Sequence, residues 1–289
     1  METSIILETV IKVVVVLSVF SALAGFTTYI ERKVLAFMQR RLGPTNVGPY
    51  GLLQLAADGI KLFCKEDFIP ANANKPIFMV APLITAATAF IAMSAVPFFP
   101  EFEMFGYTVR PIISDINVGV LFVMSVGAVG LYGPLLGGMS SANKWALLGG
   151  ARTAIQLLSY EVVSGLSLLA PLMIVGSLSL IDINNYQSGG VSNWIVWSQP
   201  LAFILFVIAG FAETNRTPFD LLEHEAELVA GYATEYSGMR WGMFFIGEYA
   251  NLFTISFLIS LIFLGGFNDL WFIPGGLAIV LKVMFLIFV

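Results

Sequence analysis

Seven apolar stretches, each near the length needed to cross a bilayer, run through the chain at residues 5–28, 76–99, 116–137, 154–178, 194–212, 241–266 and 275–289. About 20 apolar residues in a helix cross the hydrocarbon core, roughly 30 Å thick. Inside that core only helices and closed barrels satisfy their own backbone polar groups. Charged residues make up 11% of the chain and hydrophobic ones 58%, with mean hydropathy +0.87, whereas a soluble domain carries about 25% charge. The expected fold class is therefore all-α, a polytopic transmembrane helix bundle with long loops on one side. We read residues 1–289 as a single membrane domain, because no internal repeat, low-complexity run or linker interrupts it. The first stretch does not read as a cleaved signal peptide, since its charged cluster Glu31-Arg32-Lys33 follows the apolar run instead of preceding it. The last stops in mid-pattern at Phe285-Leu286-Ile287-Phe288-Val289, so we expect a C-terminal truncation.

Loop charge sets the orientation, because Lys and Arg concentrate on the cytoplasmic side. The loops after the first, third and fifth stretches hold eleven Lys and Arg. Those after the second, fourth and sixth hold only Arg110. The N-terminus is thus expected outside and the long loops in the cytoplasm. Residues 50–63 of the first inner loop carry apolar residues at 52, 53, 55, 56, 60, 62 and 63. That spacing suits an amphipathic helix lying along the membrane interface, and an ordinary connecting helix fits the pattern as well.

One cysteine and one histidine exclude a disulfide framework within the chain, a four-cysteine cluster and a bis-histidine haem. Any electrons must come from a partner. The net charge of −5 points away from nucleic acid. No nucleophile–base arrangement or phosphate loop is evident, and no metal site is expected: His224 is the sole imidazole and nothing has calcium-loop spacing.

Charge inside the spans is the chemical signal. A carboxylate near the bilayer centre costs about 2.5–3.5 kcal/mol, yet Glu161 and Glu248 lie within spans and Glu213 closes one. A single such residue reads equally well as structural; three beside an acidic inner loop point to a proton pathway. That loop carries six acids between residues 213 and 235, among them Glu223, Glu225, Glu227 and Glu235. Clustered carboxylates raise one another's pKa, although a solvated acidic loop accounts for the pattern equally well. Pro218-Phe219 among the acids suits a segment folded against the membrane domain. Glu8 and Lys12, four apart, read as a structural pair, while Lys282 is a buried cation without an evident partner. From the residues alone the chain is a polytopic protein with buried carboxylates and polar inner loops able to dock another protein.

Three blocks carry a resemblance: residues 31–54, beginning Glu31-Arg32-Lys33-Val34-Leu35-Ala36-Phe37-Met38-Gln39-Arg40-Arg41-Leu42-Gly43-Pro44; Leu158-Ser159-Tyr160-Glu161-Val162; and Ala212-Glu213-Thr214-Asn215-Arg216-Thr217-Pro218-Phe219-Asp220 onward to Gly247-Glu248-Tyr249. Over essentially its whole length the chain resembles the family of quinone-site membrane subunits of respiratory complex I, the proton-pumping NADH:quinone oxidoreductase. The resemblance implies eight transmembrane helices at full length and inner loops that help form a chamber for the quinone (ubiquinone) headgroup. Quinone would be the substrate, with iron–sulfur clusters and flavin held only by partner subunits. The implied partners are a peripheral iron–sulfur arm and antiporter-like membrane subunits, with lipid around the chain, in a cell (inner) membrane, whether of a bacterium or of an organelle.

Carried over residue by residue, the resemblance places Arg32, Arg41, Asp58, Arg152, Arg216, Phe244, Phe245 and Tyr249 along the quinone chamber and its access path. Glu161, Glu213, Glu223, Glu225, Glu227, Glu235 and Glu248 would form the chain of acids coupling quinone reduction to proton translocation. The sequence departs from the family pattern at residues 137–143 and 149–151, which we expect to affect only a loop. Three other readings stay open: a membrane subunit of an energy-converting hydrogenase, a stand-alone ion or solute transporter, and a passive membrane anchor for a redox arm.

Overall fold

The computed structural model describes residues 2–104, 107–109, 111–215, 219, 230–270 and 273–288. Of the sequence-predicted site residues, Arg216, Glu223, Glu225 and Glu227 lie outside these. The chain is built from helices: α1 (Glu2–Met38), α2 (Gln54–Cys64), α3 (Lys75–Met93), α4 (Gly119–Gly130), α5 (Tyr132–Ser140), α6 (Lys144–Val175), α7 (Leu180–Tyr186), α8 (Ile195–Ser198), α9 (Pro200–Glu213), α10 (Gly238–Phe263) and α11 (Gly275–Phe288). Each predicted apolar stretch corresponds to a helix or a broken pair of helices. Among the described residues five units are long and apolar enough to cross a membrane, and α9 and α11 are shorter apolar helices. At 14 residues each, the latter extend only about 21 Å.

Two of the predicted spans are broken, each at a proline. Pro134 has no N–H to donate to the Gly130 carbonyl four residues back, and the third span divides at Leu131 into α4 and α5. In the fifth, Gln199 leaves helical geometry (φ −133°, ψ 58°) just before Pro200, separating α8 from α9. A departure from the sequence reading lies outside the helices. The loop between the second and third spans contains a small antiparallel ribbon, β1 (Phe102–Met104) with β2 (Tyr107–Val109).

The bundle is centred on α10. Of its most apolar window 78% is buried, against 11% for α1, and residues 252–263 are buried without interruption. A helix apolar on every side belongs inside a bundle. α10 packs against α3, α9 and α11, with α1, α2 and α7 at its flanks. On α6, by contrast, Ile155, Leu158, Val162, Leu166, Leu169 and Met173 face outward at helical spacing, the pattern of a lipid-facing stripe.

Small residues let these helices approach closely, as they do where lipid supplies no hydrophobic drive for association. A Cβ on Gly138 of α5 would lie 2.4 Å from the Ala146 carbonyl of α6, and one on Gly247 of α10 would lie 2.9 Å from Thr85 Cγ2 of α3. The departures from the family pattern therefore do more than alter a loop: residues 149–151 lie inside α6, and residues 137–140 are the end of α5. α2 buries none of its residues and rests on its neighbours through Leu55 beside Gly25 of α1 and Leu62 beside Gly242 of α10.

Candidate functional site

The C-terminal part of α1 carries two adjacent charges that point to different partners. Arg32 donates to Asp58 Oδ2 of α2 at 2.5 Å, while Gln54 Nε2 donates to the other Asp58 oxygen at 2.9 Å. Glu31 accepts from the Tyr249 hydroxyl of α10, also at 2.5 Å. Next to that contact the Phe245 ring packs against Tyr249 at 4.8 Å and against Trp241 at 5.1 Å. Arg32, Asp58, Phe245 and Tyr249 thus gather where α1, α2 and α10 meet.

The other sequence-predicted quinone residues lie elsewhere. Arg41 follows α1, donates to Gln39 Oε1 at 2.7 Å, and lines an open depression of about 510 Å³ with Phe37, Met38, Arg40 and Leu42. Arg152 sits within α6, not in the preceding loop. Phe244 is buried in an aromatic cluster, 5.1 Å from the Tyr232 ring and 5.0 Å from that of Tyr236. Tyr236 in turn stacks on Phe78 at 4.0 Å and donates to its carbonyl at 3.1 Å. Burial pushes the Tyr236 phenol up to about 12, against smaller downward effects of Ser140 and Arg240. It remains a neutral donor around physiological pH, so its place is in the packing.

The three carboxylates of the spans converge on one cavity. Glu161 from the middle of α6, Glu213 from the end of α9 and Glu248 from α10 all line it, together with Thr85, Thr88, Gly127, Gly130, Leu131, Pro134, Leu157, Asn215, Tyr232 and Asn251. The break between α4 and α5 forms one wall, and at Gly127 the missing side chain leaves space that a Cβ would take 3.4 Å from Glu213 Oε1. The free volume is about 40 Å³. A water needs roughly 10–15 Å³ measured this way, whereas small-molecule pockets run to about 300–1,000 Å³. The cavity admits a few waters and excludes a quinone headgroup. Carboxyl groups sharing such a space have coupled proton occupancies, because charge on one opposes charge on the next.

Two residues that the sequence did not mark shape this cavity. The Tyr232 hydroxyl donates to Glu248 Oε1 at 2.9 Å. Its turn, Gly231–Ala233, is pressed against α6 at Gly149, where a Cβ would sit 2.6 Å from the Gly231 carbonyl carbon. Asn215 takes a left-handed backbone, φ 53°, just beyond α9, the usual helix-ending role of Gly or Asn. That tolerance is the only local signal Asn215 offered, and Tyr232 offered none. Gln156 of α6 secures the same junction, donating to the Ala212 carbonyl at 3.2 Å and the Phe219 carbonyl at 2.9 Å. Phe219 packs edge-on against Tyr160 at 5.4 Å, so this point of the acidic loop does lie against the membrane domain.

Glu235 stands apart from the cavity. It accepts from Asn143 Nδ2 at 2.7 Å, and Asn143 also caps the first turn of α6 through Trp145 N–H. The Glu8–Lys12 pair forms at 2.7 Å. Lys282 finds its partners within the chain: Nζ donates to the Gly266 carbonyl at 2.8 Å and lies 4.5 Å from the Trp194 ring centre. Among the described residues no group of three His, Cys, Asp or Glu side chains could hold a metal ion.

The chain is 76% identical over 286 residues to an NADH-quinone oxidoreductase subunit of Wolinella succinogenes, the one designated H, covering 99% of this chain and 87% of the relative. It is 75% identical to the same subunit of a Nitratiruptor species, covering 99% and 86%. The counterpart from Helicobacter hepaticus is 70% identical, with 98% and 85% covered. The sequence model described as NADH dehydrogenase matches residues 11–289, and with a helical bundle that spans the membrane several times and holds three carboxylates in one cavity, the chain belongs to the NADH dehydrogenase family.

Proposed function

We propose that this chain is the membrane subunit of a proton-translocating NADH-quinone oxidoreductase in which quinone reduction is coupled to proton transfer through Glu161, Glu213 and Glu248. The observation that carries this reading is the convergence of those carboxylates, from three separate helices, on one small polar cavity. A passive anchor has no need of that arrangement. The quinone headgroup belongs at the inner junction of α1, α2 and α10, where Arg32–Asp58 and Glu31–Tyr249 are paired beside Phe245. These groups hydrogen-bond readily and lie beside a ring-lined surface suited to a planar headgroup.

Reduction at that junction draws protons from nearby groups. Tyr249 and Glu248 are neighbours on α10, so a change in the Glu31–Tyr249 contact acts directly on the helix that holds one cavity acid. Arg152 and Glu235, with Arg216, Glu223, Glu225 and Glu227 of the acidic loop, take part in the same transfer, and antiporter-like subunits take up the change on the membrane side. The peripheral iron–sulfur arm docks on the inner loops, where Phe37, Met38 and Leu42 stand exposed among Arg40 and Arg41. The eleven-to-one loop charge ratio supports an N-terminus outside an inner membrane.

The test replaces Glu161, Glu213 and Glu248 singly by Gln in the assembled complex. Quinone reductase rate and proton uptake are then read in inverted vesicles. Coupled turnover should fall while the complex and its iron–sulfur content remain. Wild-type turnover and pumping in any one of the three variants would overturn the proposal.

A further inference from the structure

We propose that Asn215 is a positioning residue for proton transfer across the carboxylate cavity, its side-chain oxygen orienting the water through which a proton passes between Glu213 and Glu248. This rests on the relay reading above and adds to it a residue with no ionisable group.

The backbone role of Asn215 does not use its carboxamide. The residue ends α9 in the left-handed region and its N–H donates to the Ala212 carbonyl at 3.3 Å. Glycine would serve that purpose better. The side chain instead lines the cavity shared by the three glutamates. Its Oδ1 is closed off from solvent and, among the described residues, has no hydrogen-bond partner. Buried polar atoms are overwhelmingly paired, and one left over in a native fold calls for an explanation.

The cavity wall supplies that explanation, because it is rich in acceptors. The Thr88 hydroxyl donates to the Ile84 carbonyl and that of Thr85 to the Ala81 carbonyl, both within α3. The Tyr232 hydroxyl is committed to Glu248. What remains toward the cavity is chiefly oxygen lone pairs, from two threonines, three carboxyl groups and the Asn215 oxygen, with the Asn251 carboxamide offering both an acceptor and donors. Such a wall is satisfied by O–H donors, from water or from a protonated carboxyl, and the volume suits a few waters.

A water that gives one O–H to Asn215 Oδ1 has its second O–H and its lone pairs directed by that bond. It accepts the proton of the Glu213 carboxyl as it passes its second proton to the Glu248 carboxylate. One O–H bond breaks and one forms at each end, the net charge of the cavity is unchanged, and the amide is neither protonated nor deprotonated. Neutral and fixed in place, Asn215 orients the transfer without competing for the proton.

Two variants test this in the assembled complex, with all rates expressed per assembled complex. Asn215→Gly keeps the left-handed backbone and removes the carboxamide. Asn215→Asp keeps an acceptor oxygen and tolerates the same backbone. The Gly variant should lose coupled turnover several-fold with KM for quinone unchanged, and its solvent deuterium isotope effect should rise as proton transfer becomes limiting. The Asp variant should lie nearer wild type. If Asn215 serves only to end α9, Gly leaves rate and isotope effect unchanged, and the proposal fails. Equal effects of Gly and Asp, or failure of the Gly variant to assemble, would assign the carboxamide to folding and also refute it. Glu213→Gln measured alongside separates the two levels. If it behaves as wild type, the relay reading itself fails. If it is impaired while Asn215→Gly is normal, only the role of Asn215 falls.

Discussion

Gly149 offers the sharpest test of how the cavity is held, because it lies in the second turn of α6 and carries no chemistry. A Cβ added there would stand 2.6 Å from Gly231 C, 2.7 Å from Gly231 Cα and 2.7 Å from Tyr232 N, all of them backbone atoms. Optimal carbon contacts lie at about 3.5–4.0 Å, so α6 and the Gly231–Ala233 turn must separate by roughly 1 Å. Overpacking of this kind costs about 1–3 kcal/mol. The displaced turn carries Tyr232, whose hydroxyl lies 2.9 Å from Glu248 Oε1. A displacement of about 1 Å takes that contact beyond hydrogen-bond range, and a bond to a charged group is worth about 1.5–3 kcal/mol.

We therefore expect Gly149→Ala to lower coupled quinone reductase activity several-fold, measured per assembled complex in native membranes with proton uptake followed in inverted vesicles. Tyr232→Phe should reproduce the same loss without any steric change. Gly165 is the control. It lies on the same helix with nothing within 4 Å of its added Cβ, so Gly165→Ala changes only helix propensity, and favourably. Equal activity in the Gly149 and Gly165 variants, or a normal Tyr232→Phe variant, would refute the argument that this close approach sets the Glu248 contact.

Two further perturbations separate stability from turnover. Lys282→Met removes the Nζ bond to the Gly266 carbonyl and the contact with the Trp194 ring. Orphaning the buried carbonyl costs about 1–3 kcal/mol and losing the cation–π contact about 0.5–2 kcal/mol. The detergent-solubilised complex should therefore lose thermal stability while activity per assembled complex holds, and an unchanged melting profile would contradict this. Arg32→Gln breaks a pair whose side chains are 50% and 33% exposed. Such a pair contributes at most about 1 kcal/mol, so assembly should survive while KM for quinone rises. An unaltered KM with reduced assembly would show the pair to be structural.

Some features were legible because they are local. Apolar run length announces a membrane span wherever it occurs, and each of the seven stretches became a helix or a broken pair. The Glu8–Lys12 pair followed from a four-residue spacing along one helix, and the helix Gln54–Cys64 from the apolar periodicity of residues 50–63, although it starts later than that pattern because Tyr50 takes a left-handed backbone. Even the broken spans had local causes in Pro134 and Pro200, although the apolar pattern reads as continuous through both. The blocks around Glu31, Glu161 and Glu213 carried the family resemblance, and with it the identity that the relatives bear out.

What the sequence could not determine is which charges meet. Glu161, Glu213 and Glu248 are equally conspicuous as misplaced carboxylates, and nothing local says that they share one cavity while Glu235 turns away to Asn143. Nor does it say that Lys282 is matched by a carbonyl and a ring. Those outcomes depend on the distance and rotation between helices, set by atoms that are missing: the side chains that Gly127, Gly149 and Gly247 lack. The cost of burying charge, read along the chain, marked which carboxylates call for a reason. Only the packing of one helix against another decided which of them meet, because contact between distant segments is a property of the folded bundle and not of any stretch within it.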